Sequence, residues 1–283
     1  MPKTVVTGAA GKVGWWTVQT LVEAGHDVLA VDREQPSQSL PSGVKFWPSE
    51  LTDLGEGYQC LAGADYDCHI AAIPSPTGFP EATTYRNNTL STFHVFQAAV
   101  DCGVSKVAYT SSETVYGFIG GQRLKPEYIP VDESHPTAPQ GAYALSKNMG
   151  EDMADMFCRN HKTAFASFRL ANVRTPDSYD IYPARRERAT SQASGLWSYV
   201  DARDVGQACV CFWSSELEGH TVFNLSAADN WLDGDVEEVL SESAFADVEL
   251  RGFSGSATGW DISRARELLG YEPKHSWRQH LPT

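Results

Sequence analysis

Apolar residues near the start of the chain change from strand spacing to helix spacing and back again. Val5 and Val6 form a short β-branched run, and residues 28–31 form another. Such runs are typical of buried strands. The segment between them has apolar residues at helical spacing, namely Val13, Trp16, Val18, Leu21 and Val22. The pattern predicts a strand, a helix and a second strand.

The same patterns continue along the rest of the chain. They predict strands near residues 3–7, 27–32, 44–47, 66–71, 105–111, 164–170 and 221–225, and helices near 87–102 and 143–160. Both helices have apolar residues on more than one face: Leu90, Phe93, Val95, Phe96 and Val100 in the first, and Met149, Met153, Met156 and Phe157 in the second. This excess apolar surface fits either core packing or contact with a second subunit.

The junction between the first strand and the first helix is rich in glycine. Gly8, Gly11 and Gly14 follow a GxxGxxG spacing, which permits a tight turn and lets a pyrophosphate approach the helix N-terminus. Asp32 ends the second strand, where its carboxylate can accept hydrogen bonds from both ribose hydroxyls and repel a 2'-phosphate. The unit therefore predicts an NAD site, although Arg33 leaves NADP tolerance open. A glycine-rich turn without a ligand is the alternative.

The bulk composition narrows the range of partners. The chain has 22 Lys and Arg against 36 Asp and Glu, which gives a formal net charge of −14. This charge opposes nonspecific binding to nucleic acids or anionic membranes, so we expect neither as a partner. The first residues lack the pattern of a signal peptide, and no apolar run reaches membrane-spanning length. We therefore expect a soluble cytoplasmic protein.

Cysteine spacing argues against a metal site. The six cysteines show neither CxxC spacing nor a nearby histidine pattern suited to zinc. We expect them to be reduced and mostly buried, and we predict no metal. The cysteines are Cys60, Cys68, Cys102, Cys158, Cys209 and Cys211.

Short motifs occur in a fixed order along nearly the whole chain. They are TGAAGKVG at 7–14, SEL at 49–51, HIAA at 69–72, NTLST at 88–92, SSETVYG at 111–117, YALSK at 143–147, RLANVRTP at 169–176, WSYVDARDV at 197–205 and DISRARELLGYEP at 261–273. In this order, they resemble the extended short-chain dehydrogenase/reductase family of NAD-dependent sugar epimerases, dehydratases and dehydrogenases. The chain departs from that pattern at Glu50, where Asp is usual, and at Ser91 and Thr175, where glycine is usual.

The resemblance implies an architecture. The expected fold is α/β, with a Rossmann-type doubly wound parallel sheet and a small C-terminal substrate-binding region. We expect the NAD-binding core to comprise residues 1–170 and to be completed by about 199–225. The substrate region would comprise 171–198 and 226–283. The two long helices would form the four-helix contact of a homodimer.

The resemblance also gives the YALSK segment a chemical role. Tyr143 and Lys147 are four residues apart and share one helix face. A tyrosine pKa of about 10 is too high for an efficient base, so Lys147 and the positive nicotinamide ring are expected to lower it. Tyr143 would then take a hydroxyl proton while Ser112 binds the same substrate oxygen. Asn88 is the predicted fourth catalytic residue, acting through water or helix geometry, although Asn is also a common helix cap.

The remaining site residues follow from the motifs and from local composition. Arg185, Arg186 and Arg188 cluster in an otherwise acidic chain, as an anion clamp or as a solvated loop. Ser75 and Thr77 lie in the AIPSPTGFP loop, where they bind sugar hydroxyls or form simple turns. The predicted cofactor residues are Gly8, Ala10, Gly11, Lys12, Val13, Gly14, Asp32, Arg33, Glu50, Leu51, Ala71, Ala72, Tyr143 and Lys147. The predicted substrate residues are Ser75, Thr77, Ser112, Glu113, Thr114, Asn172, Arg174, Arg185 and Arg186.

Two features favour net oxidation over the other reactions of the family. Thr114 occupies the position at which the dehydratases of the family carry glutamate, which disfavours elimination. Only residues 177–196 separate two late motifs, which is short for a nucleotide-diphosphate pocket. The compact chain thus resembles uronate and small-sugar dehydrogenases. A sugar epimerase with transient oxidation is the alternative, and a noncatalytic NAD-binding regulator is disfavoured by the Ser112, Tyr143 and Lys147 set.

Overall fold

Strands and helices alternate along the computed structural model, which describes residues 1–74, 78–119, 124–182, 188–232 and 234–280. The strands in this part of the chain are β1 (Lys3–Thr7), β2 (Asp27–Asp32), β3 (Lys45–Pro48), β4 (Tyr66–His69), β5 (Lys106–Ser112), β6 (Tyr128–Ile129), β7 (Ala164–Leu170), β8 (Val173–Arg174), β9 (Val200–Asp201), β10 (His220–Leu225) and β11 (Glu249–Leu250). The helices are α1 (Lys12–Glu23), α2 (Leu54–Leu61), α3 (Glu81–Asp101), α4 (Gly141–Cys158), α5 (Ala202–Ser214), α6 (Val236–Ser241) and α7 (Ser263–Leu269).

Seven strands form one parallel sheet in the order β10, β7, β5, β4, β1, β2, β3. The strand order reverses between β1 and β4, so a crevice opens there at the carboxyl ends of the strands. The short strands pair separately, β6 with β11 and β8 with β9. The predicted doubly wound α/β fold is confirmed.

One strand ends earlier than predicted, because a side chain accepts the backbone hydrogen bonds that a neighbouring strand would otherwise accept. The strand predicted at 66–71 ends at His69. Beyond it, the backbone N–H groups of Ile70 and Ala71 donate to Oγ1 of Thr7, at 3.1 and 3.2 Å, rather than to a strand. Thr7 therefore ends β4 and begins the loop that borders the crevice.

Helix boundaries differ more than strand boundaries. The helix predicted at 87–102 begins earlier, at Glu81, directly after Pro80. Its first two turns are polar and carry little apolar periodicity, so the apolar pattern did not indicate them. Helices α2 and α5 were not predicted from the apolar pattern. Each begins after an aspartate whose side chain accepts from a backbone N–H two residues on, Asp53 in α2 and Asp201 in α5.

The apolar side chains of α3 and α4 divide between the core and the surface. Val95, Phe96, Val100 and Phe157 are buried. By contrast, Leu90, Phe93 and Met156 remain between 37% and 40% exposed. Packing in the core therefore explains only some of the apolar residues on these two helices. Among the described helices, none has both the length and the apolar character needed to cross a bilayer.

Helix α4 packs unusually closely on the sheet. A Cβ atom at Gly150 would lie 2.3 Å from the hydroxyl oxygen of Tyr109 in β5. The next residue, Glu151, is buried and accepts hydrogen bonds from Nε and Nη2 of Arg169 in β7, at 3.0 and 2.7 Å. Ser111 of β5 also donates to Glu151. These contacts fix the position of α4 relative to β5 and β7.

The central strand β4 contains a buried acid that no described group pairs with. Asp67 has no exposed surface, and neither of its carboxyl oxygens has a hydrogen-bond partner in the described chain. Burial raises its pKa well above the usual value, because an unpaired charge in the core is costly. The folded protein therefore holds a proton here at pH values at which the unfolded chain has released it.

Asp67→Asn should remove a pH-dependent loss of stability. The unfolded Asp67 ionises near pH 3.9, so the wild-type free energy of unfolding falls by about 1.4 kcal/mol per pH unit above that value, until the folded pKa is reached. Asparagine releases no proton, so the gain of the variant over the wild type should grow as the pH rises. Urea unfolding of both proteins across this range measures the difference. A difference that stays constant with pH would contradict the prediction.

Candidate active site

A cleft of about 610 Å³ opens at the carboxyl ends of β1, β2, β4 and β5. Most of the predicted site residues line it: Gly8, Gly11, Lys12, Val13, Asp32, Arg33, Glu50, Leu51, Ala71, Ala72, Ser112, Glu113, Thr114, Tyr143, Lys147 and Asn172. The structure thus brings the glycine turn and the YALSK segment into one space.

Other predicted residues lie beside the cleft or outside the described chain. Ala10, Gly14, Asn88 and Arg174 do not line it. Four further predictions, for Ser75, Thr77, Arg185 and Arg186, fall on residues that the structure does not describe.

The glycine turn has no room for side chains at two of its positions. Gly8 has a φ of +74°, and a Cβ atom there would lie 2.6 Å from the backbone nitrogen of Ala71. At Gly14 a Cβ atom would lie 2.1 Å from the carbonyl oxygen of Gly8. Gly11 precedes α1 without a side chain that could cap it. The helix N-terminus therefore faces the cleft with N–H groups available to an anion, which fits a pyrophosphate.

Asp32 connects the glycine turn to the end of β2. One of its carboxylate oxygens accepts a hydrogen bond from Ala10 N–H at 2.9 Å, and the other accepts from Arg33 N–H at 2.7 Å. A carboxylate has about four acceptor positions, so capacity remains for ribose hydroxyls. Asp32 thus also holds the turn in place, a role that sequence spacing did not indicate.

Glu50 is held mainly by its own turn. Its Oε1 accepts from the backbone N–H and the hydroxyl of Thr52, at 3.1 and 2.9 Å. Its other oxygen lies 3.7 Å from Arg33, and both of these side chains are exposed. Glu50 and Arg33 therefore form a weak surface pair at one end of the cleft.

In the free protein, Lys147 alone does not lower the pKa of Tyr143. This pKa is raised to about 12, chiefly by burial and to a smaller extent by the charge of Glu113, while a hydrogen bond with Ser112 opposes the rise. The Lys147 ammonium instead donates to the carbonyl oxygen of Thr110 at 2.6 Å and lies 5.0 Å from the centre of the Tyr109 ring. Burial lowers the pKa of Lys147 to about 7, so its charge is only partial at neutral pH. In the free protein, this lysine does not offset the desolvation of Tyr143.

Asn88 lies within α3 rather than at its cap, and none of its hydrogen bonds in the described chain is to the Tyr143 hydroxyl. It lies in the third turn of α3, where its amide exchanges two hydrogen bonds with the backbone of Ile73, at 2.8 and 3.2 Å. Its Nδ2 is also 3.3 Å from Oγ of Ser146, which donates to the carbonyl oxygen of Tyr143. Asn88 therefore fixes the loop after β4 against both α3 and α4.

Glu113, the residue after Ser112, is buried beside two donors. Burial raises its pKa to about 8, while a side-chain hydrogen bond with Trp260 and the charge of Arg174 oppose the rise. Thr114 donates from its backbone and its hydroxyl to Oγ of Ser112, at 3.2 and 3.0 Å. The turn after β5 thus fixes Ser112 and places a carboxyl group next to it.

Two contributors to the site were missed by sequence reasoning. His69 was noted only as part of a motif, yet it is fully buried and its ring bridges the hydroxyls of Thr7 and Thr92, at 2.9 and 3.1 Å. Trp260 lies far along the chain from Glu113, and no motif or spacing in the sequence around it indicates a place in the site. Only its contact in the fold reveals it.

Comparison with known proteins agrees with this geometry. The model of the NAD dependent epimerase/dehydratase family matches residues 4–226. The chain belongs to this family. It is an NAD-dependent enzyme of the extended short-chain dehydrogenase/reductase class, as its motifs indicated.

Individual relatives within the family are distant. The chain is 23% identical to a UDP-glucose 4-epimerase from Corynebacterium glutamicum, over 97% of this chain and 92% of the relative. It is 25% identical to an NAD-dependent glucose-6-phosphate dehydrogenase from Haloferax volcanii, over 95% and 92%. A short-chain dehydrogenase/reductase superfamily protein from Agrobacterium tumefaciens, solved with bound NAD, has the same fold, with a TM-score of 0.75, 21% identity, and coverage of 98% and 94%.

Asp32→Ala should weaken NAD binding by about 10-fold and NADP binding by less. The substitution removes acceptors for the ribose hydroxyls but also removes the charge that repels a 2'-phosphate. Dissociation constants for both reduced cofactors, measured by fluorescence, test this. Glu34→Ala is the control, because that side chain is exposed just beyond β2 and should not affect either constant. An unchanged preference between the cofactors would contradict the assignment.

Asn88→Ala should loosen the loop after β4 and lower stability by about 1–3 kcal/mol, since it leaves the buried backbone of Ile73 unpaired. Limited proteolysis should then cut faster within residues 72–80. If Asn88 acts only by position, KM should rise together with the faster cleavage. A fall in kcat without any change in proteolysis would instead indicate a direct chemical role.

Proposed function

We propose that this enzyme oxidises a hydroxyl-bearing carbon of a small free sugar, sugar acid or related alcohol with NAD. The observation that carries the proposal is that Ser112, Tyr143 and Lys147 line the same cleft as the glycine turn. A base and an oxyanion donor are thereby held within reach of one substrate oxygen.

Each residue of the set has one task in this proposal. Bound NAD supplies the hydride acceptor. Tyr143 takes the proton of the substrate hydroxyl, and Ser112 donates a hydrogen bond to the same oxygen as it becomes a carbonyl. Because burial favours the neutral phenol, the base form needs a positive charge nearby when the cofactor is bound. Lys147 supports that form to the extent that it is protonated.

The cofactor would lie along the rest of the cleft. The turn from Gly8 to Gly14 would hold its pyrophosphate at the start of α1, and Asp32 would hold the adenosine ribose. Glu50 and Leu51 border the adenine end, and Ala71 and Ala72 border the middle.

A small substrate is supported by the extent of the cleft. Every residue that lines it lies between Gly8 and Val173, and no described residue after that contributes. The similarity to a glucose-6-phosphate dehydrogenase over nearly the whole chain agrees with a compact sugar. Thr114 leaves no second acid beside Glu113, which argues against elimination. Sugar binding by Ser75, Thr77, Asn172, Arg185 and Arg186 stays a prediction.

The predicted division into a core and a substrate region also stays a prediction, as do the homodimer and the cytoplasmic location. Exposed Leu90, Phe93 and Met156 on α3 and α4 support a helical dimer contact. A cytoplasmic enzyme would have the cellular NAD pool available. Sedimentation of the purified protein should give the mass of two 31.0 kDa chains.

The deciding experiment combines NAD+ with free aldoses, uronic acids and nucleotide-diphosphate sugars in separate reactions. Net oxidation predicts that NADH accumulates with a free sugar or acid, in equal amount to the product. An isomer formed without NADH would show that the hydride returns, and the enzyme would then be an epimerase.

Tyr143→Phe should lower kcat by about 10²- to 10⁴-fold, because the base is lost while the ring remains. NAD binding should persist, which titration calorimetry can show. Tyr58→Phe is the matched control, since that hydroxyl pairs with exposed Asp101 away from the cleft. Near-normal turnover by Tyr143→Phe would remove this residue from the mechanism.

A further inference from the structure

Lys147 is buried without a counter-ion among the described residues. Its ammonium donates to the carbonyl oxygen of Thr110 at 2.6 Å, and no described carboxylate forms an ion pair with it. Glu151, one turn further along α4, is bound to Arg169 and Ser111 instead. A buried charge is costly unless a neighbouring group compensates for it. The lysine therefore needs another group that favours its charged form.

The ring of Tyr109 lies against this ammonium. Nζ of Lys147 is over the face of the ring, 5.0 Å from its centre, and both residues are buried. The face of an aromatic ring attracts a cation at distances of up to about 6 Å, more strongly where water is excluded. The carbonyl oxygen of Thr110 can accept from a neutral amine as well as from an ammonium. The ring face, by contrast, attracts mainly the charged form.

Neighbouring groups fix the Tyr109 ring in this place. The ring of His69 is nearly parallel to it, at 17° and 5.8 Å between the centres, and Phe96 meets it edge-on at 87° and 5.5 Å. A Cβ atom at Gly150 would be 2.3 Å from its hydroxyl oxygen, so the backbone of α4 closes the other end. His69 is itself held by the hydroxyl of Thr7 at 2.9 Å. These contacts leave the ring one orientation towards the lysine.

The other titratable or charged groups around Lys147 are accounted for in different ways. His69 is neutral, because burial and, to a smaller extent, the charge of Lys147 lower its pKa to about 3. Tyr143 and Glu113, whose pKa values burial raises to about 12 and about 8, are mainly neutral at pH 7. On α3, the side chain beside this part of α4 is the uncharged Asn88. The remaining groups pair with each other, namely Glu151 of α4 and Arg169 of β7.

We propose that Tyr109 is a positioning residue for the reaction, and that the face of its ring keeps Lys147 in the charged form that supports Tyr143 as a base. The inference rests on the proposed function, in which Lys147 acts to the extent that it is protonated. Burial lowers the pKa of Lys147 to about 7. A modest stabilisation of the ammonium therefore changes the charged fraction strongly near neutral pH. Without the ring, the lysine should lose its charge at a lower pH.

The first test measures the charge of Lys147 without any substrate. Tyr109→Phe keeps the ring face and should leave the Lys147 pKa close to that of the wild type. Phenylalanines with increasing numbers of ring fluorines at position 109 weaken the negative face with little change of shape. They should lower the pKa stepwise, by roughly half a unit to one unit in the most fluorinated protein. NMR titration of isotopically labelled lysine measures the pKa, and Lys147→Met identifies the resonance.

Phe96→Leu is the matched control for Tyr109→Leu. Each substitution removes one buried ring from the same aromatic cluster, but Lys147 lies over the face of Tyr109. Thermal unfolding should show a loss of stability in both variants. Only Tyr109→Leu should lower the Lys147 pKa. If that variant does not fold, the fluorinated series still gives the result, because it keeps the ring in place.

The second test uses a substrate that the enzyme oxidises. Lys147 loses its proton earlier when the ring face is weakened or absent, so the alkaline limb of the kcat profile should move to lower pH. The shift should follow the same order as the lysine pKa across the fluorinated proteins and Tyr109→Leu. Phe96→Leu should leave the limb in place.

Three results would overturn the inference. One is a Lys147 pKa that stays constant across the fluorinated series. Another is an equal fall of this pKa in Phe96→Leu, which would mean that general packing and not the ring face is responsible. The third is a lysine pKa that falls while the alkaline limb stays in place, which would remove the charge of Lys147 from the chemistry. If the enzyme oxidises no free sugar, sugar acid or alcohol, the proposed function fails, and the NMR titration still decides whether the ring keeps Lys147 charged.

Discussion

The buried ion pair between Glu151 and Arg169 determines where the reacting groups lie. Both side chains are nearly excluded from water, at 8% and 7% exposure, so each depends on the other for its hydrogen bonds. Glu151 is one turn beyond Lys147 on α4, Ser111 directly precedes Ser112, and Arg169 is on the neighbouring strand β7. With Gly150 packed against Tyr109, the pair leaves α4 one position on the sheet. The base and its serine partner inherit that position.

Removal from water favours the neutral form of all three titratable groups at the reacting end of the cleft. Burial is the largest cause in each case: it raises the pKa of Tyr143 and of Glu113 and lowers that of Lys147. Every one of these shifts favours the neutral form. In the free enzyme, burial therefore disfavours the charged forms of the base, the neighbouring acid and the lysine alike.

Local patterns in the sequence were sufficient for the parts of the site that lie within one strand–turn–helix unit. The glycine turn, Asp32 at the end of β2 and Ser112 at the end of β5 all lie where their spacing indicated. Asn88 was different, because its partner Ile73 is on another loop and no spacing shows that contact. The predicted lowering of the Tyr143 pKa involves bound NAD as well as Lys147 and stays a prediction; in the free protein burial raises this pKa, and the i, i+4 rule does not show that Thr110 binds the Lys147 ammonium. Trp260 had no signal at all, since its neighbour Glu113 is 147 positions away along the chain.

Among the residues that the structure describes, all those that line the cleft lie within the first 173 of the chain, and this affects how the protein can change over time. The described residues of the later part of the chain contribute aromatic side chains that pack behind the site, such as Trp260, rather than residues that line the cleft. Substitutions there can alter what the enzyme recognises without disturbing the tyrosine, the serine or the glycine turn. The fold thus separates the evolution of specificity from the maintenance of chemistry.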